Sequence, residues 1–135
     1  MRRRAVISLI AVASATLALG LRRTAADAHV FIAVAFEMKK QSEKSGDQPY
    51  GAVVVLDDEI VGLGPSRVVV SGDPDAHAER EAIRDAQRRL GDDLSGCTLY
   101  STSQPCNACE RVAAEAKIER MIYGPEATDA GAPRS

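Results

Sequence analysis

Residues 52–56 read Ala-Val-Val-Val-Leu, and this apolar run decides the fold of the chain. Three β-branched residues stand together with no polar residue between them, which predicts a strand buried on both faces. Asp57-Asp58 predicts a turn directly after the strand. Residues 60–64 then predict the return strand of a hairpin.

Outside this hairpin, predicted helices and strands alternate. Apolar residues recur at helical spacing over residues 30–38, and Ser45-Gly46 closes that segment. The later predicted elements are an extended piece at 68–70, a helix capped by Asp73-Pro74-Asp75 and ended by Gly91, a strand at 98–100, a helix opened by Pro105 and a strand at 120–123. The order α-β-β-α-β-α-β indicates an α/β protein in which helices cover a mixed sheet. Residues 125–135 show no periodicity and are predicted to form a loose C-terminal tail.

The N-terminus is typical of a targeting segment. Three arginines at positions 2–4 precede an uncharged run of 17 residues, and Ala26-Asp27-Ala28 fits a small-x-small cleavage site. We predict a signal peptide over residues 1–28 and export to the periplasm or the medium, and Arg3-Arg4 resembles the twin-arginine form. The alternatives are an uncleaved membrane anchor, at the lower edge of the length of a span, and a misplaced start codon, which would leave the protein cytoplasmic.

Composition and charge exclude several classes of protein. Hydrophobic residues make up 45% of the chain and charged residues 27%, as in ordinary globular domains, and three cysteines are too few for a disulfide-built miniprotein. The net charge is -2. Without residues 1–28, which hold five arginines and one aspartate, 12 basic and 18 acidic residues remain. A domain with that net charge of -6 repels phosphate, so a nucleic-acid partner is not expected, and a membrane is expected only if the N-terminal segment stays uncleaved.

Two short strings carry the candidate chemistry, His77-Ala78-Glu79 and Pro105-Cys106-Asn107-Ala108-Cys109. Cys106 and Cys109 are three residues apart at a predicted helix start, so both sulfurs project from one face, and the helix N-terminus favours their thiolates. With His77 they offer one nitrogen and two sulfurs, and three protein ligands with an open position are the catalytic pattern for zinc. A disulfide or redox C-x-x-C pair is the alternative, which leaves the H-x-E string unexplained.

Glu79 stands two residues after His77 and is the candidate catalytic residue. Its carboxylate could take a proton from metal-bound water and deliver it to a substrate nitrogen. The combination of H-x-E with P-C-x-x-C is the signature of the zinc deaminases. Cys97, in contrast, is interpreted as a small buried apolar residue. Tyr50 could stack on a ring, but its position at the entry of a strand favours a packing role.

With these motifs the chain resembles the cytidine and deoxycytidylate deaminase-like superfamily. The strings at residues 73–79 and 96–100 are most similar to guanine deaminases and tRNA adenosine deaminases, and the resemblance extends from about residue 31 to residue 123. It implies a three-layer α/β/α sandwich with a central mixed sheet of about five strands, and a deaminase domain over residues 29–124. It also implies that the zinc ligands are His77, Cys106 and Cys109 and that Glu79 is the proton shuttle.

The resemblance further implies a small-molecule nucleobase or nucleoside as substrate, with a purine of the guanine type favoured and ammonia released. Ala52 is expected to line the pocket, Ser66 to stand where relatives place a base-binding asparagine, and Asp129 to match an aspartate that reads the base. Gln104 departs from the glutamate that usually precedes the proline. The alternatives are a cytidine- or tRNA adenosine-type deaminase and a catalytically degenerate zinc-binding module of the same fold. Relatives are often dimers, so a homodimer is also expected.

Overall fold

A computed structural model describes residues 25–135, so residues 1–24 of the predicted signal segment lie outside the described part of the chain. The helices are α1 (Ala25–Lys44), α2 (Val68–Ser71), α3 (Ala78–Leu90) and α4 (Asn107–Glu115). The strands are β1 (Gly51–Leu56), β2 (Glu59–Pro65), β3 (Thr98–Ser101), β4 (Arg120–Tyr123) and β5 (Thr128–Gly131). Within this range no helix has both the length and the apolar character needed to cross a bilayer.

The five strands form one mixed sheet in the order β2-β1-β3-β4-β5. Strands β3 and β4 run parallel, and the other neighbours are antiparallel. Val53 at the centre of β1 lies opposite Leu63 on one side and Tyr100 on the other. The mixed sheet of five strands that the resemblance implied is confirmed.

Alternate residues of β1 point into two separate cores. Ala52 and Val54 pack with the apolar faces of α3 and α4, whereas Val53 and Val55 pack with α1. All four side chains are fully buried, as the unbroken apolar run predicted. The sheet therefore lies between α1 on one face and α3 with α4 on the other, which is the expected three-layer arrangement.

Helix α1 passes through the predicted cleavage point. Ala28, the last residue of the predicted signal peptide, is only 7% exposed and belongs to the core that also contains Phe31 and Val53. Cleavage after Ala28 would therefore remove residues 25–28 from α1. The signal peptide itself stays a prediction.

The extended piece predicted at residues 68–70 is wrong, because these residues form the short helix α2. The carboxylate of Asp47 accepts hydrogen bonds from the Val69 and Val70 amides, at 2.9 and 2.8 Å. These first-turn amides have no partner within the helix, so Asp47 supplies the acceptor from another segment. Gly72, with φ of 65°, ends the helix in the left-handed conformation. Valine triplets favour strands, so the sequence alone gave no sign of this distant cap.

The loose tail predicted for residues 125–135 is also wrong. Strand β5 pairs antiparallel with β4, which extends the folded domain beyond residue 124. The Arg134 amide and guanidinium donate hydrogen bonds to the Glu110 carboxylate, at 2.8 and 3.2 Å. Strand β5 has four residues, and the first three are exposed, so it carries no alternation of apolar and polar residues that could have predicted it.

Asp85 on α3 covers the outer edge of β2. Its carboxylate accepts a hydrogen bond from the Leu63 amide at 2.9 Å and forms ion pairs with Arg88 and Arg89. Burial acts to raise the pKa of this carboxyl, but the hydrogen bonds and the two arginines outweigh it and lower the pKa. One backbone donor of an edge strand thereby has a partner within the chain.

We expect Asp85→Asn to lower the free energy of unfolding by about 1–2 kcal/mol at pH 7, because a charge-assisted hydrogen bond to a backbone amide is weakened. A carboxyl with a depressed folded-state pKa stabilises the fold above its unfolded pKa, and the stabilisation is lost as the pH falls through the folded pKa. The difference between wild type and variant in urea unfolding should therefore shrink below about pH 4. A constant difference from pH 7 to pH 3 would contradict this.

Candidate metal centre and its pocket

His77 is placed by the turn that enters α3. The helix begins at Ala78 with His77 as its N-cap, four residues later than the Asp73-Pro74-Asp75 cap predicted from the sequence. Asp73 instead forms the preceding turn: its side chain accepts from the Asp75 amide and its carbonyl from the Ala76 amide. The His77 side chain makes no capping hydrogen bond to its own helix. Its ring lies beside the start of α4.

The two cysteines are placed by the start of α4. Cys106 is the N-cap of this helix, and its Sγ accepts a hydrogen bond from the Cys109 amide at 3.5 Å. Cys109 lies one turn further and is fully buried, whereas Cys106 is exposed. The His77 Nδ1 atom lies 3.8 Å from the Cys106 Sγ and 3.4 Å from the Cys109 Sγ. The structure therefore brings together the three residues that were predicted as ligands.

These three ligand atoms have the spacing of a zinc site. They all lie within 4.8 Å of one another, and no other such group of three or more His, Cys, Asp or Glu side chains occurs within residues 25–135. Tetrahedral bonds of about 2.0–2.3 Å place neighbouring nitrogen and sulfur ligands about 3.6 Å apart, between the two distances observed. One imidazole and two thiols suit zinc, and a set of three protein ligands leaves the fourth position for a water or substrate.

The electrostatics of Cys109 also favour a cation at this point. Burial raises the pKa of the Cys109 thiol well above its usual range, and the charge of Glu79 raises it further. The Arg80 guanidinium acts in the opposite direction. Because a thiolate this deeply buried needs a compensating positive charge, metal binding and loss of the Cys109 proton are coupled.

Glu79 lies in the first turn of α3, next to the ligand group. Its side chain is buried, and burial raises the pKa of its carboxyl. Hydrogen bonds from its own backbone amide and from the Ser101 hydroxyl, with the charge of His77, partly offset that effect. A buried carboxyl with a raised pKa, hydrogen-bonded by Ser101 at the end of β3, is placed to accept and return a proton.

Glu79, His77 and Cys106 open onto one cavity of about 380 Å³. The cavity is also lined by Gln48, Tyr50, Ala78, Ser103 and Gln104. Among these described lining residues there is no lysine or arginine, and the lining is mixed, with two amides, a hydroxyl and an aromatic ring. The cavity thus combines the candidate metal ligands and the candidate proton carrier with neutral hydrogen-bonding groups.

The residues predicted to bind substrate lie elsewhere. Ala52 is fully buried in β1 between β2 and β3, behind the lining of the cavity. Ser66 is buried as well, and its hydroxyl donates a hydrogen bond of 2.9 Å to Asp47. Asp129 is exposed on β5, where it pairs with Arg120. None of the three is among the residues that line the cavity, while Gln104 is.

The sequence reasoning missed Gln48 and Ser103 and misinterpreted Tyr50. Tyr50 is 44% exposed and lines the cavity, so the interpretation as a packing residue is wrong. Their positions in the sequence could have indicated this role, because Gln48 and Tyr50 precede β1 and Ser103 follows β3. Side chains at the ends of adjacent antiparallel strands meet at one edge of the sheet. Cys97, in contrast, is fully buried in the core, as predicted.

We expect Cys109→Ala to reduce zinc bound to the purified chain from about one equivalent to a small fraction, because a ligand set of three loses a buried thiolate. Cys97→Ala is the matched control, since Cys97 is equally buried but belongs only to the apolar core. Elemental analysis after dialysis measures the bound metal. Equal zinc in both variants would show that Cys109 is not a ligand.

Comparison with known proteins agrees with this geometry. The family profile of the cytidine and deoxycytidylate deaminase zinc-binding region matches residues 25–125. The tRNA-specific adenosine deaminase of Aquifex aeolicus is 38% identical over 94 residues, which cover 69% of this chain and 62% of that protein. The guanine deaminase of Bacillus subtilis is 42% identical over 83 residues, which cover 61% of this chain and 53% of that protein.

The crystal structure of guanine deaminase from Bacillus subtilis has the same fold, with a TM-score of 0.68 and 35% identity over 70% of this chain and 62% of that chain. The chain thus spans somewhat more than half the length of the curated relatives that it matches. The matched region contains the helix starts that carry His77, Cys106 and Cys109. The chain belongs to the cytidine and deoxycytidylate deaminase family with its zinc-binding region.

Proposed function

We propose that this chain is a zinc-dependent hydrolytic deaminase that converts an exocyclic amine of a purine-like base to a carbonyl and releases ammonia. The observation that carries the proposal is the buried carboxyl of Glu79 at the His77, Cys106 and Cys109 group, all adjoining one cavity. A zinc site that served only structure would gain nothing from a buried carboxyl at its side, because burying an ionisable group costs free energy.

His77, Cys106 and Cys109 would hold the metal, which supplies an activated water nucleophile at neutral pH when bound. Glu79 would accept a proton during attack on the amine-bearing carbon and would later give a proton to the departing amine, which leaves as ammonia. Burial of Glu79 suits both steps, because the raised pKa lets the same carboxyl accept and then return the proton. The Ser101 hydroxyl holds the carboxyl in place between the steps.

We favour a free base or nucleoside of the guanine type as the substrate. The cavity offers neutral amide and hydroxyl groups, which match the hydrogen-bonding edge of a base. Residues 25–135 hold 12 basic and 19 acidic residues, so the described domain repels a polyphosphate. The similarity to the Bacillus subtilis guanine deaminase supports the same choice.

A tRNA adenosine-type activity is the second candidate, favoured by the similarity to the Aquifex aeolicus enzyme. It would need a basic surface beside the cavity for phosphate contacts, and the described lining residues provide none. The homodimer implied by the resemblance and the export of the chain stay predictions.

The test is release of ammonia by the zinc-loaded full chain from guanine, adenine, adenosine, cytosine and cytidine, and from an RNA hairpin with an adenosine in its loop. Turnover of guanine supports the proposal, and turnover of the hairpin alone supports the tRNA-type candidate. Selective turnover of cytosine or cytidine overturns the purine assignment. No turnover of any substrate, with one zinc held per chain, overturns the enzyme assignment in favour of a binding module.

A further inference from the structure

Asp47 directly precedes the cavity-lining residue Gln48 and lies where three segments of the chain meet. One carboxylate oxygen accepts hydrogen bonds from the Gln48 amide at 2.8 Å and the Ser66 hydroxyl at 2.9 Å. The other oxygen accepts from the first-turn amides of α2, as described above. The Asp47 amide itself donates to the Ser42 carbonyl at the end of α1. Four hydrogen bonds on one carboxylate fix the orientation of this partly exposed side chain.

The segment that Asp47 begins forms one wall of the cavity. Gln48 and Tyr50 both line it, and Asp47 does not. The Tyr50 carbonyl accepts from the Ser42 hydroxyl at 2.9 Å and from the Ser66 amide at 3.2 Å. The Tyr50 amide donates to the Gln48 carbonyl at 2.8 Å. The backbone of both lining residues is therefore held by groups that Asp47 ties together.

The same carboxylate is linked to the metal-binding side of the cavity. Arg67, next to Ser66, donates its amide to the Ala76 carbonyl at 3.0 Å, and Ala76 precedes His77. Asp47 thus connects the wall formed by Gln48 and Tyr50 to the segment that enters α3. The network runs through backbone amides and buried hydroxyl groups, which have few alternative partners.

We propose that Asp47, through Ser66 and α2, is a positioning residue that holds Gln48 and Tyr50 in place as the substrate-contacting wall. This inference rests on the proposed function. It also assigns a role to Ser66. Its hydroxyl was expected to contact the base, but it donates a hydrogen bond to Asp47 and so stabilises the wall. The groups that contact the base are then the Gln48 amide and the Tyr50 ring, which line the cavity.

The test compares Asp47→Asn with Asp93→Asn. Asp93 is a matched control, because it also accepts hydrogen bonds from a neighbouring amide and hydroxyl, but those groups belong to Ser95 and not to the segments beside the cavity. We expect Asp47→Asn to raise KM for guanine about ten-fold with kcat changed less than about two-fold and zinc unchanged, because ground-state contacts are lost. Asp93→Asn should change neither constant. An unchanged KM in Asp47→Asn overturns the proposal.

A combined variant tests whether the effect passes through the wall. If Asp47 acts by holding Gln48 and Tyr50, then Gln48→Ala combined with Tyr50→Ala should raise KM, and adding Asp47→Asn to that pair should raise KM little further. Fully additive effects would mean that Asp47 acts by another route and would overturn the assignment.

Hydrogen exchange tests the positioning role of Asp47 even if the proposed function is wrong. Failure of the proposed function appears as a wild-type chain without guanine turnover. In that case, Asp47→Asn should still speed amide exchange at Gln48, Tyr50, Ser66, Val69 and Val70, while Asp93→Asn should not. Unchanged exchange at Tyr50 and Ser66 would overturn the positioning role even then.

Discussion

Replacing Glu79 by glutamine is expected to lower kcat for the preferred substrate by about 10³- to 10⁴-fold, while zinc stays bound. Glutamine keeps the size and the hydrogen-bonding shape of the side chain but cannot carry a proton between the attacking water and the departing amine. The metal ligands are untouched, so zinc content and thermal unfolding should stay near the wild-type values. Single-turnover ammonia release and elemental analysis on the same sample provide the two measurements.

Glu81→Gln is the matched control for this variant. Glu81 lies in the same first turn of α3, but it pairs with Arg84 at 3.1 Å and does not line the cavity. It should keep kcat within about two-fold, because its carboxylate pairs with Arg84 and does not adjoin the cavity. If Glu79→Gln kept a tenth or more of the wild-type kcat, Glu79 would not be the proton carrier.

Gly64→Ala should have the second-largest effect, because helix α3 packs directly against this glycine. A Cβ at Gly64 would overlap the Ala78 carbonyl oxygen and lie 2.5 Å from the Ala82 amide nitrogen. These are backbone atoms, which cannot rotate away as a side chain can. The first turn of α3, with His77 and Glu79, therefore has to move away from the sheet. We expect a loss of about 1–3 kcal/mol in stability and about 10²-fold in kcat/KM, with weaker zinc binding.

Gly62→Ala separates this effect from general loss of stability. Gly62 lies on the same strand and approaches the same helix about one turn further on, where a Cβ would overlap the Ala82 carbonyl oxygen and lie 3.0 Å from the Ala86 Cβ. Its cost in thermal unfolding should be similar, but zinc affinity and kcat/KM should fall less. Equal losses of zinc and activity in both variants would mean that the close approach at Gly64 has no special relation to the site.

The parts of the fold that were predictable carry their signal in one short stretch of sequence. The apolar run at residues 52–56 predicted a strand buried on both faces, and the structure places alternate members of that run in two cores. Likewise, the short strings around His77 and Cys106 contain the whole candidate ligand group. Each string lies at one helix start, so local spacing already determines where its side chains point.

The parts that were not predictable depend on partners far away in the sequence. Helix α2 forms from a valine-rich segment because Asp47, more than twenty residues earlier, caps it. Ser66 faces away from the cavity for the same reason. Strand β5 exists because β4 offers a free edge, not because its own four residues favour a strand. Such contacts are tertiary and leave no periodicity in the sequence.

The candidate ligands lie at the starts of two helices that are separated along the chain, and this separation affects the resistance of the protein to proteolysis. His77 and Cys106 are 29 residues apart, so a metal ion held by both would act as a cross-link that closes the loop containing α3 and β3. Cross-links of this kind suppress local opening, and proteases cut chains mainly when they open. A chain that loses its metal should therefore become susceptible to cleavage within this loop, so metal supply would set how long the protein persists.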